Sequence, residues 1–141
     1  MLERIGPSQV RQVLESAKTI AVLGVSANPE KPAHYVAQYL LEAGYKILPV
    51  NASLVGQTMF GQTVKATLAE IKEPIDIVDM FRRSEFLEQH FSDILAMQPL
   101  PKLVWLQLGI RNPEFVAKLL EAGIEVVQDR CLKADHHNLR L

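Results

Sequence analysis

Short, continuously apolar runs that alternate with helix-patterned segments constrain this chain more than any other feature. The first is "TIAVLGV", residues 19–25. An apolar run without polar alternation is expected of a strand buried on both faces. "YKILPV" (45–50), "IDIVDMF" (75–81), "KLVWLQLG" (102–109) and "IEVVQD" (124–129) read as four further strands. Helical periodicity fills the gaps. Ser8 is placed to cap a helix over Gln9–Ala17, with Val10, Val13, Leu14 and Ala17 on one face. "HYVAQYLLEAG" (34–44) reads as a helix that starts near Ala33–His34 and stops at Gly44. "ATLAEI" (66–71) reads as a short helix, and Ser84 is placed to cap "EFLEQHFSDILAM". "NPEFVAKLLEAG" (112–123) has Pro113 in its first turn and Gly123 as its stop. The polar tail Arg130–Leu141 receives no assignment.

Five strands separated by helices predict a doubly wound α/β domain. Its sheet is parallel, with right-handed crossovers and helices on both faces. In such sheets ligands bind beyond the carboxyl ends of the strands, where strand order reverses. The candidate loops are therefore Gly24–Ala33, Asn51–Gly61, Phe81–Ser84, Gln107–Asn112 and Asp129–Cys131.

Composition narrows the partners. The 141 residues suit one domain, spanning 1–141, and 48% of them are hydrophobic. Fifteen Lys and Arg against sixteen Asp and Glu leave a net charge of −1, which argues against a nucleic-acid surface. No apolar run has membrane-helix length, and the first residues show no apolar signal core. The lone Cys131 cannot form an internal disulfide, so a cytoplasmic setting is expected.

The loops carry the chemistry. Gly24 ends the first strand and allows a tight turn. A dinucleotide fingerprint would place further glycines at 26 and 29, where Ser26 and Pro29 stand. Ser26 offers a hydroxyl and an N–H to an anion, and Lys31 adds charge. A solvated surface loop is the alternative. The second strand ends Pro49–Val50–Asn51, without the carboxylate that grips a ribose diol in NAD-binding units. Asn51 could bond a sugar or base, and Pro49 offers a flat apolar face; alternatively, the two merely begin a turn. Arg82 and Arg83 are adjacent and cannot point the same way; one could reach a phosphate, although a solvated pair is the commoner outcome. Gln107 is polar at the end of a buried strand, and Gly109 permits close backbone approach. Trp105 belongs to the core. His136–His137 lack ligand spacing for a metal. No nucleophile, base and orienting group can be assembled from the sequence.

These segments together resemble a known family. "AVLGVSANPEKPAHYVAQYLLEAGYKILPVN", "GQTV", "TLAEI", "IDIVDMFRR", "VWLQLGIRN" and "EAGIEVVQDRCL" occur in collinear order from about Thr19 to Leu132. They are similar to the stand-alone CoA-binding domain proteins and to the CoA-binding domain that opens the α-subunit of succinyl-CoA synthetase. The resemblance implies a Rossmann-like fold and coenzyme A as ligand. By position, Gly24, Val25 and Ser26 would meet the CoA phosphates, with Lys31 beside them. Pro49, Val50 and Asn51 would lie along the nucleotide. Phe81, Arg82 and Arg83, with Gln107, Leu108 and Gly109, would border the pantetheine path. The synthetase passes phosphate through a histidine in a following domain, which the 141 residues do not contain. The expectation is therefore binding of CoA or acyl-CoA without intrinsic catalysis. Alternatives are a subunit that completes an acyl-CoA or nucleotide-using site with a protein partner or a second copy, and an NAD(P)-binding redox sensor.

Overall fold

The computed structural model describes residues 5–141. Its first helix, α1, runs Pro7–Ser16. Ser8 does not cap it. Pro7 takes the first helical position, where a missing N–H costs nothing, and Gly6 precedes it. Gln9 closes the end by accepting the Gly6 N–H at 2.7 Å. Proline has the same effect at α2, Pro32–Glu42, which begins before the expected Ala33–His34.

The strands are β1 (Thr19–Leu23), β2 (Lys46–Val50), β5 (Ile77–Met80), β6 (Leu103–Leu106) and β7 (Glu125–Val127). They form one sheet in the order β2-β1-β5-β6-β7, parallel throughout. The expected five-stranded, Rossmann-like α/β sheet is therefore present. Apolar side chains leave both faces. Ile20, Val22, Ile47, Ile77 and Trp105 pack towards α1, α2 and α5 (Leu132–Asn138). Leu23, Val50, Val78, Met80 and Leu106 pack towards α3 (Phe91–Leu95) and α4 (Pro113–Glu121). Trp105 is fully buried, and its Nε1–H donates to the Arg130 carbonyl at 2.8 Å.

Proline within β2 is tolerated because β2 is an edge strand. The Pro49 carbonyl accepts the Lys65 N–H on the outer edge, so its ring nitrogen faces that side too and no ladder bond to β1 is lost.

Several elements differ from expectation. Residues 66–71 form only a 3₁₀ turn, Leu68–Glu70. The helix expected after Ser84 is a 3₁₀ segment, Ser84–His90, that passes into the short α3. The Ser84 hydroxyl is drawn to another loop, where it accepts the Arg111 N–H at 3.1 Å. A small antiparallel ribbon, β3 (Thr58–Met59) with β4 (Gln62–Thr63), was not expected. Its two-residue turn has φ of 55° at Phe60 and 78° at Gly61. Such turns are usually announced by Asn-Gly or Gly-Gly, and phenylalanine hides the signal.

Candidate functional site at the reversal of strand order

β1 lies between β2 and β5, so successive crossovers leave it in opposite directions. The crevice above the β1/β5 boundary is the reversal point at which open parallel sheets bind ligands. Gly24 sits there with φ +86°. Its N–H donates to the Val50 carbonyl at 2.8 Å, and Phe81 N–H donates to the Leu23 carbonyl at 2.9 Å. A Cβ on Gly24 would lie 2.2 Å from the Phe81 carbonyl oxygen. Three strand ends therefore converge on one residue that must lack a side chain.

The loop beyond Gly24 is held from within. Val25 is buried. The Ser26 N–H donates to the Ala33 carbonyl at 3.3 Å. The Ser26 hydroxyl accepts the Asn28 N–H at 3.0 Å, and the Asn28 side chain accepts the Glu30 N–H at 3.0 Å. The Ser26 amide is thus already engaged, contrary to the expectation that it would meet an anion. The amides of Ala27 and Ala33 are the loop donors not engaged among the described residues. Lys31 stands exposed immediately before α2.

Asn51 has a structural task. Its Nδ2 donates to the Val25 carbonyl at 2.8 Å, and its Oδ1 accepts the Ser53 N–H at 2.8 Å. Each end of the amide gives one hydrogen bond to clamping the Gly24 loop to the end of β2, which fixes the side chain's orientation. Pro49 and Val50 are buried in β2 and support the loop from beneath; the flat face expected of Pro49 is not presented to solvent. Asn51→Asp removes the donor and sets a carboxylate against the Val25 carbonyl. The expected loss is about 1–3 kcal/mol of stability, read as a lower urea midpoint at neutral pH. An unchanged midpoint would show the clamp to be dispensable.

The opposite wall comes from β5 and β6. Phe81 is half-buried. Arg82 folds back, with its guanidinium 5.0 Å from the centre of the Phe86 ring and its Nε donating to His90 Nε2 at 3.1 Å. Burial, then the nearby Arg82 charge, hold the His90 pKa below its ordinary value, which keeps it an acceptor. Arg83 is exposed, so the two arginines diverge as expected.

Gln107 is buried and faces no open path. Its Nε2 donates at 2.6 Å to Oδ1 of Asp79, a fully buried carboxyl within β5. Burial raises the Asp79 pKa from 3.8 to about 7, against a smaller lowering by the Gln107 bond. Sequence reasoning read Asp79 only as part of a strand. Its signal was a second carboxylate, after Asp76, within the run "IDIVDMF". Leu108 is 71% exposed at the rim. The Gly109 N–H donates to Asp129 Oδ1 at 2.7 Å, so this amide too is occupied.

A sizeable concavity lies elsewhere, beside the ends of β6 and β7. It is a cleft of about 740 Å³ between α1, α5 and those strands. His136, read as a poor metal ligand, is buried and shares a 2.8 Å hydrogen bond with the Tyr39 hydroxyl. Among the described residues no helix is long and apolar enough to cross a membrane.

Comparison with known proteins agrees with this geometry. The uncharacterized protein YneT of Bacillus subtilis (strain 168) is 36% identical over 129 residues, covering 92% of this chain and 93% of YneT. The structure of cell-free ID.343 from Thermus thermophilus superposes with a TM-score of 0.92 at 50% identity, over 96% of this chain and 99% of that one. A hypothetical protein from Pyrococcus horikoshii OT3 superposes with a TM-score of 0.90 at 29% identity, over 99% of this chain and 95% of its own. The family model described as CoA binding domain matches residues 18–137. A match over that span, on a fold whose strand order reverses at Gly24, places the chain in the CoA-binding domain family.

Proposed function

We propose that the protein binds coenzyme A across the carboxyl ends of its parallel strands, over the β1/β5 crevice, and performs no chemistry of its own. One arrangement supports this reading most. The Gly24 turn leads into α2 where strand order reverses, and Lys31, Arg82 and Arg83 come from the loops on either side. An anion at this point meets the positive end of an eleven-residue helix, the open amides of Ala27 and Ala33, and nearby cationic side chains. CoA, with its diphosphate and 3′-phosphate, uses charge as well as backbone donors. Gly24, Val25 and Ser26 act in this reading as the shaped floor of the phosphate site, and Lys31 as its charge. Arg82 reaches the ligand by leaving Phe86 and His90. Pro49, Val50, Asn51 and Gln107 shape the site from below. Phe81, Leu108 and Gly109 border the path of the pantetheine arm. NAD fits less well, because Asn51 stands where a carboxylate would hold the ribose and its orientation is fixed by the clamp.

CoA is expected to raise the melting temperature, and NAD at equal concentration is not. At a hundredfold excess over Kd the ligand contributes about 2.7 kcal/mol, a shift of roughly 5–10 °C for a domain of this size. Lys31→Ala should weaken CoA about threefold to tenfold by isothermal titration, since an exposed ammonium is worth less than a sheltered one. An equal or larger shift with NAD overturns the ligand assignment. Turnover of acyl-CoA by the pure protein overturns the non-catalytic half of the reading.

A further inference from the structure

We infer that the cleft beside β6 and β7 takes the acyl chain of an acyl-CoA, so that the protein prefers medium-chain thioesters to CoA itself. The inference rests on the CoA reading above and extends it to the ligand's other end. The cleft, at about 740 Å³, has the size of a small-molecule site. Its floor is apolar, built from Val10 of α1, Trp105 of β6, Val127 of β7 and Leu139 beyond α5. Its charges are already matched. Arg130 holds Asp135 through two bonds of 2.5 and 2.8 Å, and Arg111 lies 3.5 Å from Asp129. Paired in this way, the arginines leave little uncompensated charge for a second phosphate, and the cleft suits a neutral apolar segment. Gln128 lines it with one polar group to spare. Its Oε1 accepts the Asn112 N–H at 3.2 Å, while its buried Nε2 has no acceptor among the described residues. A buried donor without a partner is uncommon in folded proteins. A thioester or amide carbonyl is the neutral acceptor that would satisfy it.

The geometry of the sheet makes the connection. The phosphate loop follows β1, and the cleft lies at β7, three strands across in the order β1-β5-β6-β7. At about 4.8 Å per strand this is roughly 14 Å. An extended pantetheine arm spans roughly 15 Å at the extended-chain rise of ~3.5 Å per three bonds. Both ends lie on the sheet face that carries α1, α2 and α5. Asp129 joins the two regions, bonding the Gly109 amide on one side and facing Arg111 on the other.

The test is a titration of the full chain with CoA, acetyl-CoA, octanoyl-CoA and octanoate. Each methylene removed from water is worth about fourfold in affinity. With half of the additional chain buried, octanoyl-CoA should bind at least ~30-fold more tightly than acetyl-CoA. Leu139→Trp, which narrows the cleft at its apolar floor, should reduce that preference to about threefold or less and leave CoA affinity unchanged. Leu139→Ala, which removes one wall, should also lower the preference and serves if the tryptophan variant fails to fold. If neither variant folds, the chain-length series on the unaltered protein still decides. CoA binding intact with no chain-length preference overturns the cleft assignment and leaves the CoA reading standing. Failure of CoA and both thioesters to bind overturns that reading, and this inference with it. Octanoate binding alone, without any CoA ligand, does the same.

Discussion

Gly24→Ala is expected to lower stability by about 3–5 kcal/mol and to abolish measurable CoA binding. Two costs combine. The residue sits at φ +86°, where a side chain is strained by roughly 1–2 kcal/mol. The added Cβ also meets the Phe81 carbonyl oxygen at 2.2 Å and its carbon at 3.0 Å. Backbone cannot swing aside as a flexible side chain does, because Phe81 is tied to β1 through the Leu23 carbonyl. Relief must come from separating the ends of β1 and β5, which is the crevice itself. For a domain of this size the melting temperature should fall by about 10 °C or more. Gly109→Ala is the matched comparison. Its φ is +85°, but an added Cβ has nothing within 4 Å, so only the strain remains. Equal losses in the two variants would show that the crossing at Phe81 is not what demands glycine.

Asp79 governs the second expected result, an opposite pH trend in one part of the stability curve. Its pKa lies at about 7 in the folded chain, raised from 3.8 by burial. Below the lower value both states hold the proton, and burial carries no penalty from this group. As pH rises towards 7 the unfolded chain releases its proton while the folded chain keeps it, so stability falls. Above 7 the penalty is constant. At 1.36 kcal/mol per unit the fall amounts to about 4 kcal/mol at most. Asp79→Asn keeps an oxygen for the Gln107 donor and removes the ionisation. The variant should gain stability over the parent at pH 8 and lose the advantage near pH 4. Urea midpoints for both proteins at pH 4, 6 and 8 give the difference, in which other carboxylates cancel. Parallel curves would mean that Asp79 is ionised without cost, contrary to its burial.

These two residues mark where sequence reasoning succeeds and where it stops. Apolar runs of strand length, separated by helical periodicity, determine a buried parallel sheet, because neither face of such a strand tolerates water. Gly24 was legible for the same reason: a strand that turns sharply into a crossover needs a residue without Cβ. The helix starts were legible only in part. Pro7 and Pro32 outcompeted Ser8 and Ala33 because a fixed φ and a missing N–H favour the first helical position. Residues with equal chemistry in one dimension then divided in three. Asn51, Gln107 and Gly109 all looked available to a ligand. Each is engaged by a group far along the chain: the Val25 carbonyl, Asp79 and Asp129. Lys31 and Arg83 remained exposed, while Arg82 turned onto Phe86 and His90. A side chain's capacity to bond is a property of its type and can be read locally. Whether that capacity is already spent depends on strand order and loop closure, which bring distant residues together only when the sheet forms. Strand order also decided where the large cleft opens. Val10, Trp105, Val127 and Leu139 form its floor because α1, β6, β7 and the end of α5 pack together, and no local pattern of the chain carries that adjacency.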